Sequence, residues 1–284
     1  GHQNGAASEL SQRSVLRRGV DTEKNINKLR RSSDMYQVKM PDTDNRKIIE
    51  QKGNITIYEY EQDLSTNPGA AMQAYYSSKM NIRRRQVMFN LDGEHDVIVQ
   101  AGAMQWMAGS VSSGTNVKGV GDLAKKFVSS RVTNESTIKP KYTGKGILML
   151  EPTYKYLIIE DVAAWNGMVI DDGLFLACDA NTEIKTVSRK SFSSAIAGGE
   201  GLFNSCLIGS GFAVLECNCP REELVEVQLQ DDELKVDGNF AIAWSQSLKF
   251  TVERSTKTLI GSAASGEGLV NVYRGTGKVL MAPL

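Results

Sequence analysis

Three Gly-x-Gly pairs recur along the chain at an almost constant interval. They occupy positions 144–146, 209–211 and 275–277, so their first glycines are 65 and 66 residues apart. Each pair leads into an apolar stretch that ends at a proline. A second series of glycines, at positions 102, 173 and 238, opens other apolar stretches at intervals of 71 and 65 residues. Two independent series of glycines with nearly the same period predict three copies of one unit from about residue 86 onward.

The residues of the repeated unit favour β-structure. Glycine at the start of a strand permits a positive φ at a bulge or corner, and proline at its end removes a ladder donor. Strand-like alternation dominates, and in GNFAIAW it predicts a core face made of Phe240, Ile242 and Trp244. We therefore expect a mainly β protein of three fused β-sandwich or double-stranded β-helix repeats in a pseudo-threefold arrangement, with a few short helices. The repeat glycines are Gly102, Gly173, Gly238, Gly146, Gly211 and Gly277.

Shifts in composition divide the chain into five parts. Residues 1–35 are basic and poor in large apolar side chains, which predicts a flexible leader. Residues 36–85 contain a strand pattern and a short helix, with Asn67 as its N-cap and Pro68 at its first position. The three predicted repeats follow as residues 86–154, 155–222 and 223–284.

The net charge limits the classes of partner, and the cysteine content indicates the redox compartment. Lys and Arg together number 33, as do Asp and Glu, so the chain lacks the net field that attracts nucleic acid or anionic membranes. No apolar run approaches the roughly 20 residues of a membrane-spanning helix. Four cysteines in 284 residues do not make a disulfide scaffold. We expect a cytoplasmic protein with reduced thiols and no transmembrane segment.

No arrangement of residues indicates catalysis. A histidine-based metal site needs two or three histidines, and this chain has only His2 and His95. Cys217 and Cys219 lack the second pair that a zinc site requires, and the Gly-x-Gly segments lead into strands rather than into phosphate-binding helices. We therefore expect no enzyme activity, no metal and no cofactor.

Several segments resemble the altered-inheritance-of-mitochondria family. They are VIVQAGAMQWMAG, VKGVGDLAKKF, GEGLFN and GEGLVNVYRGTGKVLMAP, and the resemblance extends over roughly residues 36–284. The family is related in fold to the tryptophan RNA-binding attenuation protein, so the resemblance implies three fused TRAP-like units in a pseudo-trimer. It implies no known activity, because bacterial members are largely uncharacterised and mitochondrial relatives act in inner-membrane organisation.

Two sets of charged residues are candidates for binding. Arg83, Arg84 and Arg85 form the densest basic run of the body and would serve RNA or another anion. The run occurs once rather than once per repeat, so a strand edge guarded by charge is the favoured interpretation. Glu135, Glu200 and Glu267 stand nine, nine and eight residues before their Gly-x-Gly pairs, which fits either carboxylates near a pseudo-threefold axis or, as favoured, solvated turns.

The function that these observations favour is a scaffold or protein-interaction module. Its expected partners are further copies of itself or an unidentified protein, and nucleic acid is not expected. The alternatives are binding of RNA or another anion through the arginine run, and a carboxylate site near the axis.

Overall fold

The computed structural model describes residues 36–41, 43–115, 139–189, 202–254 and 269–283. By its contacts the chain divides into two units, Gly1–Asp44 and Asn45–Leu284. The predicted leader, residues 1–35, lies outside the described residues, as do Glu135, Glu200 and Glu267. All elements named below belong to the second unit.

The described part of the second unit is built of strands, one α-helix and two short 3-10 turns. Helix α1 is Ala71–Lys79, and the turns are Val162–Trp165 and Arg221–Glu223. The strands are β1 Arg46–Lys52, β2 Ile55–Tyr60, β3 Arg85–Asp92, β4 Val97–Val99, β5 Met104–Gly114, β6 Lys141–Leu150, β7 Tyr156–Asp161, β8 Met168–Ile170, β9 Phe175–Asp179, β10 Thr182–Arg189, β11 Leu202–Gly209, β12 Phe212–Cys217, β13 Val225–Asp237, β14 Ala241–Ser245, β15 Lys249–Arg254 and β16 Leu269–Met281. The predicted mainly β class is confirmed.

The strands form two antiparallel sheets. In the first sheet the order is β1-β2-β3-β6-β4-β9-β12-β7, and β5 pairs along the other side of β6. The second sheet has the order β10-β11-β8-β14-β16-β13, and β15 also pairs with β16. One apolar cluster joins them, since it contains Phe175 and Leu215 of the first sheet and Ile170, Leu207 and Leu280 of the second. The TRAP-like pseudo-threefold arrangement stays a prediction.

The landmark glycines adopt the backbone that the sequence predicts. Gly102, Gly173 and Gly238 have φ values of 82°, 79° and 72°. The Gly-x-Gly pairs also have positive φ, and at Gly144 and Gly146 a side chain is excluded by space as well. A Cβ there would lie 2.0 Å from the carbonyl oxygens of Ser110 and Ala108. Glycine therefore lets β5 lie close against β6.

The predicted core face of GNFAIAW is wrong. Phe240 precedes β14 and is 43% exposed. The pairing of β14 with β16 shifts register between Ala241 and Ala243, which marks a bulge. A bulge interrupts the alternation of faces. Ile242 and Ala243 consequently enter the cluster between the sheets, while Ala241 and Trp244 enter a cluster confined to the second sheet.

Helix α1 begins later than the sequence predicts. Its N-cap position is Ala70 rather than Asn67, and Ala70 makes no side-chain cap. Asn67 instead closes the preceding turn, because its Oδ1 accepts a hydrogen bond from the amide of Ala70 at 3.1 Å. Of the helices in the described ranges, none has the length and apolar character that crossing a bilayer requires.

Candidate functional site

The arginine run lies against a row of carboxylates. Arg85 Nη2 lies 2.7 Å from Glu59 Oε2, and Arg83 forms an ion pair with Glu61. The third pair joins Arg84 Nε to Asp63 Oδ1 at 3.0 Å. Both of these atoms are buried, and they make an ion pair without the alignment of a hydrogen bond. Each of the three guanidinium groups is thus neutralised by one carboxylate.

Pairing of β2 with β3 produces this arrangement. The register places Glu59 opposite Arg85, and the amide of Tyr60 donates to the carbonyl of Arg84 at 2.9 Å. The alternation of Glu59, Glu61 and Asp63 was the signal in the sequence for this row. It can be interpreted only when the facing strand is known.

Aromatic rings and backbone carbonyls hold the same arginines further. The guanidinium carbon of Arg85 lies 4.1 Å from the centroid of the Tyr156 ring, and that of Arg84 lies 5.3 Å from the centroid of Tyr60. Arg85 Nη1 donates to the carbonyl of Arg83 at 3.0 Å. Arg85 is only 6% exposed. An RNA phosphate would have to displace carboxylates to reach this run, so anion binding here stays a prediction that the ion pairs disfavour.

His95 lies in the exposed loop between β3 and β4. Its Nδ1 lies 2.7 Å from Asp92 Oδ2, and Asp92 Oδ1 accepts hydrogen bonds from the amides of Glu94 and His95 at 2.8 and 2.9 Å. These bonds lower the pKa of Asp92, and the hydrogen bond that His95 donates to Asp92 raises the pKa of His95. Within the described ranges, no cluster of three or more His, Cys, Asp or Glu side chains is arranged to hold a metal ion. The His95 contacts close a turn.

The four cysteines are free and buried. Burial raises the pKa of Cys178 to about 12 and that of Cys206 to about 11. Cys217 and Cys219 also have raised pKa values, chiefly because of burial, and the amide of Cys219 donates to Cys217 Sγ at 3.3 Å. A protonated thiol is a poor nucleophile and a poor metal ligand. The four thiols thus belong to the apolar clusters of the core.

The three tryptophans differ in burial. Trp165 and Trp244 are buried, whereas Trp106 on β5 is half-buried. Trp165 Nε1 donates to Glu160 Oε2 at 3.1 Å, and the Nζ of Lys278 lies 4.1 Å from the centroid of the Trp165 ring. The exposure of Trp106 reflects the position of β5, which has a paired neighbour on one side only among the described strands.

Helix α1 carries a surface that sequence reasoning missed. Met72, Tyr76 and Met80 follow one another at intervals of four residues and are 73%, 60% and 71% exposed. Tyr75 lies beside them, with its ring centroid 5.4 Å from that of Tyr76. These residues and Lys79 occupy positions i, i+3, i+4, i+7 and i+8, which share one side of a helix. We call this set the α1 outer face.

The opposite side of α1 bears small residues. Ala74 is buried, and Ala70 and Ser77 are half-buried. An ordinary surface helix buries its large apolar side chains and exposes its small or polar ones. Helix α1 does the reverse. The two i, i+4 spacings are visible in the sequence, but they do not say which of the two sides faces the body.

Comparisons with known proteins assign the family. The AIM24 sequence model, described as mitochondrial biogenesis AIM24, matches residues 76–284. An uncharacterized protein of Streptococcus pyogenes serotype M6 is 27% identical over 206 residues, which cover 69% of this chain and 81% of that protein. A crystal structure of a protein from Streptococcus pyogenes has a TM-score of 0.52 at 24% identity and covers 72% of this chain and 89% of that one, a likeness of fold. Since the family match covers most of the sequence, the predicted resemblance is confirmed: this chain belongs to the AIM24 family.

Proposed function

We propose that this protein is a non-enzymatic scaffold that binds a protein partner through the α1 outer face. The observation that carries the proposal is the reversed orientation of helix α1. In this proposal the body of the protein consists of three TRAP-like β-units in a pseudo-threefold arrangement, as the repeated glycines suggest. The protein works in the cytoplasm. In this proposal the sheets form the body, and the helix makes the contact with the partner.

The exposed side chains of α1 contribute little to the stability of the chain itself. Burying a methionine completely contributes roughly 1.5–3 kcal/mol. Met72 and Met80 forgo most of this contribution, since both are more than two-thirds exposed. Contiguous exposed apolar side chains mark interaction sites, and Tyr and Met are enriched in protein interfaces. Leu64, 71% exposed, precedes the same helix in the sequence.

The chemistry of the outer face defines the kind of partner. Lys79 is the only charged residue of α1, and its Nζ lies 5.4 Å from the centroid of the Tyr75 ring. The methionines adapt to irregular surfaces, and the tyrosines add aromatic area with a polar tip. The matching surface is an apolar patch with a carboxylate at its rim, placed to reach Lys79.

Site-specific cross-linking tests the proposal. A photo-reactive benzophenone amino acid replaces Tyr76, and the control carries it at Thr186, an exposed position on β10. We expect a discrete cross-linked protein from position 76 and none from position 186. The captured protein is then purified and titrated against the wild type, against Met72→Gln/Met80→Gln and against Gln73→Ala, which alters an exposed residue of the same helix.

The titration decides the outcome. We expect the double methionine variant to weaken binding at least about tenfold and Gln73→Ala to leave it unchanged. Equal affinity for all three proteins would show that the α1 outer face does not bind the partner. Turnover of a small molecule that a single point substitution abolishes would contradict the non-enzymatic part.

A further inference from the structure

Among the described strands, β5 is paired on one side, unlike the strands that occupy the same place after the other landmark glycines. β9 follows Gly173 and pairs with β12 on one side and β4 on the other. β14 follows Gly238 and pairs with β16 and β8. β5 follows Gly102 and pairs with β6, and no other described strand lies along its second side.

The position of Met107 on β5 corresponds to buried positions on β9 and β14, but it is exposed. Met107, Cys178 and Ala243 each stand five residues after a landmark glycine (102, 173 and 238). Cys178 and Ala243 are 0% exposed, whereas Met107 is 40% exposed. Cys178 and Ala243 lie in the apolar cluster between the two sheets, whereas Met107 lies on a strand with one paired side among the described strands and stays partly in solvent.

The free edge of β5 also lacks the usual protection against pairing. Natural edge strands carry charges or proline that discourage a second strand. The eleven residues of β5, MQWMAGSVSSG, contain neither. The other strands paired on a single side within the described chain all carry charge: β1 (Arg46, Lys47, Glu50, Lys52), β7 (Glu160, Asp161), β10 (Glu183, Lys185), β13 (Glu226, Asp231, Asp232, Glu233, Lys235, Asp237) and β15 (Lys249, Glu253).

From this contrast we propose that the β5 edge pairs with the β5 edge of a second copy of this chain, antiparallel about a twofold axis. A twofold axis puts like residues opposite one another where it crosses the paired strands, and an uncharged strand tolerates this at any position along its length. The pairing gives the backbone donors and acceptors of the β5 edge their partners, and it joins the first sheets of two copies into one. A twofold dimer is also the commonest closed assembly.

The edge of β13 is a poorer candidate than a second β5 for pairing with the β5 edge. Counted from Gly238, its segment Glu233–Lys235 corresponds to β4 and β8, which pair with β9 and β14. Where β4 and β8 are apolar, this segment holds Glu233 and Lys235, both exposed and linked by a 3.0 Å ion pair. The two edges thus differ in their protection, and β5 is the one open to pairing.

Mass and a charge insertion test the dimer. Native mass spectrometry and sedimentation velocity of the whole chain should show 62.2 kDa, twice the 31.1 kDa of one chain, with dissociation on dilution. Met107→Lys should raise the dimer dissociation constant by at least about tenfold, because it places a charge on each of the two edges that pair. Thr186→Lys places the same charge on the β10 edge and should leave the dimer intact. Matching thermal unfolding of both variants shows that the fold survives.

Cysteine cross-linking identifies the paired edge. The four native cysteines are buried and give little background. Three variants carry a cysteine on β5: Met107→Cys, Ser110→Cys and Ser112→Cys. Each variant is oxidised once alone and once in a mixture with the Lys235→Cys variant. Disulfide-linked dimers from at least one β5 variant alone confirm the twofold pairing. Cross-links that form only in the mixtures mean pairing of β5 with β13 and overturn the proposal, as does a 31.1 kDa monomer at every concentration.

Discussion

The arginine run and helix α1 are neighbours in the sequence, and the structure reverses what each suggests. Three consecutive arginines suggest an exposed basic patch, yet Arg85 is buried and all three are paired with carboxylates. Two methionines and two tyrosines on a helix suggest a core-facing stripe, yet they are exposed. A run of charged residues therefore indicates a binding surface only when the side chains that pair with it are known. The spacing of apolar residues on a helix shows that they share one side, but not whether that side faces the core or the solvent.

The largest effect should come from removing the buried arginine. Arg85→Ala leaves Glu59 without its partner at 2.7 Å and removes the packing on Tyr156. Breaking a buried ion pair from one side costs about 3 kcal/mol, and we expect a loss of that size in the free energy of unfolding. Urea unfolding measures it. The double variant Arg85→Ala/Glu59→Gln should recover part of the loss, and simple additivity would contradict the pairing.

A second prediction compares the two sides of α1. Ala74→Leu forces a larger side chain into the buried side and should lower the free energy of unfolding by about 2 kcal/mol. Met72→Lys changes the exposed side and should alter it by less than about 0.5 kcal/mol. Thermal or urea unfolding of the two variants gives the comparison. A larger loss for Met72→Lys than for Ala74→Leu would mean that the helix packs through its methionines.

A third, smaller effect tests the neutralised arginines. Glu61→Gln/Asp63→Asn removes two of the paired carboxylates and frees Arg83 and Arg84 for phosphate. Binding of a fluorescent single-stranded RNA at low salt should strengthen severalfold, with a salt dependence of about one or two released counterions. Glu94→Gln/Glu223→Gln removes two negative charges at exposed positions elsewhere and serves as the control. Tight, salt-sensitive RNA binding by the wild type would show instead that the run is available.

The smallest effect should come from the most exposed arginine of the run. The side chains of Arg83 and Glu61 are 29% and 31% exposed, and Lys47 shares the same glutamate. Solvent screens such pairs, so Arg83→Ala should cost no more than about 1 kcal/mol of unfolding free energy. Parallel urea titrations of Arg83→Ala and Arg85→Ala measure the gradient along the run. Equal losses would contradict the difference in burial on which the comparison rests.

Part of the fold could be predicted because its signals are local. A glycine with positive φ is required wherever a strand turns or another backbone approaches, and Gly102, Gly144 and Gly146 meet that requirement. Strand alternation gave the mainly β class. The same local logic failed at β14, because a bulge is decided by the pairing with β16 and not by the residues of β14 alone.

The sequence shows which residues make up the candidate surfaces, but not their contacts or their exposure. Glu59, Glu61 and Asp63 alternate in the sequence as the arginines' partners, but their role depends on the pairing of β2 with β3. In the sequence, Met107 is an apolar residue of a strand, as Cys178 and Ala243 are. Only the structure shows that Cys178 and Ala243 pack between the sheets while Met107 lies on β5, which has one paired side among the described strands.

The sequence by itself determined the β class, the repeated glycines, the thiols suited to burial and the AIM24 membership, because these depend on residue type and short-range order. Only the tertiary structure decided that the arginines are neutralised, that α1 turns its methionines outward and that β5 has one paired side among the described strands. Each of these depends on contacts between residues far apart in the chain, as Val97 with Asp179 shows. A strand's second neighbour is supplied by another part of the molecule, so no local pattern reveals whether it is present.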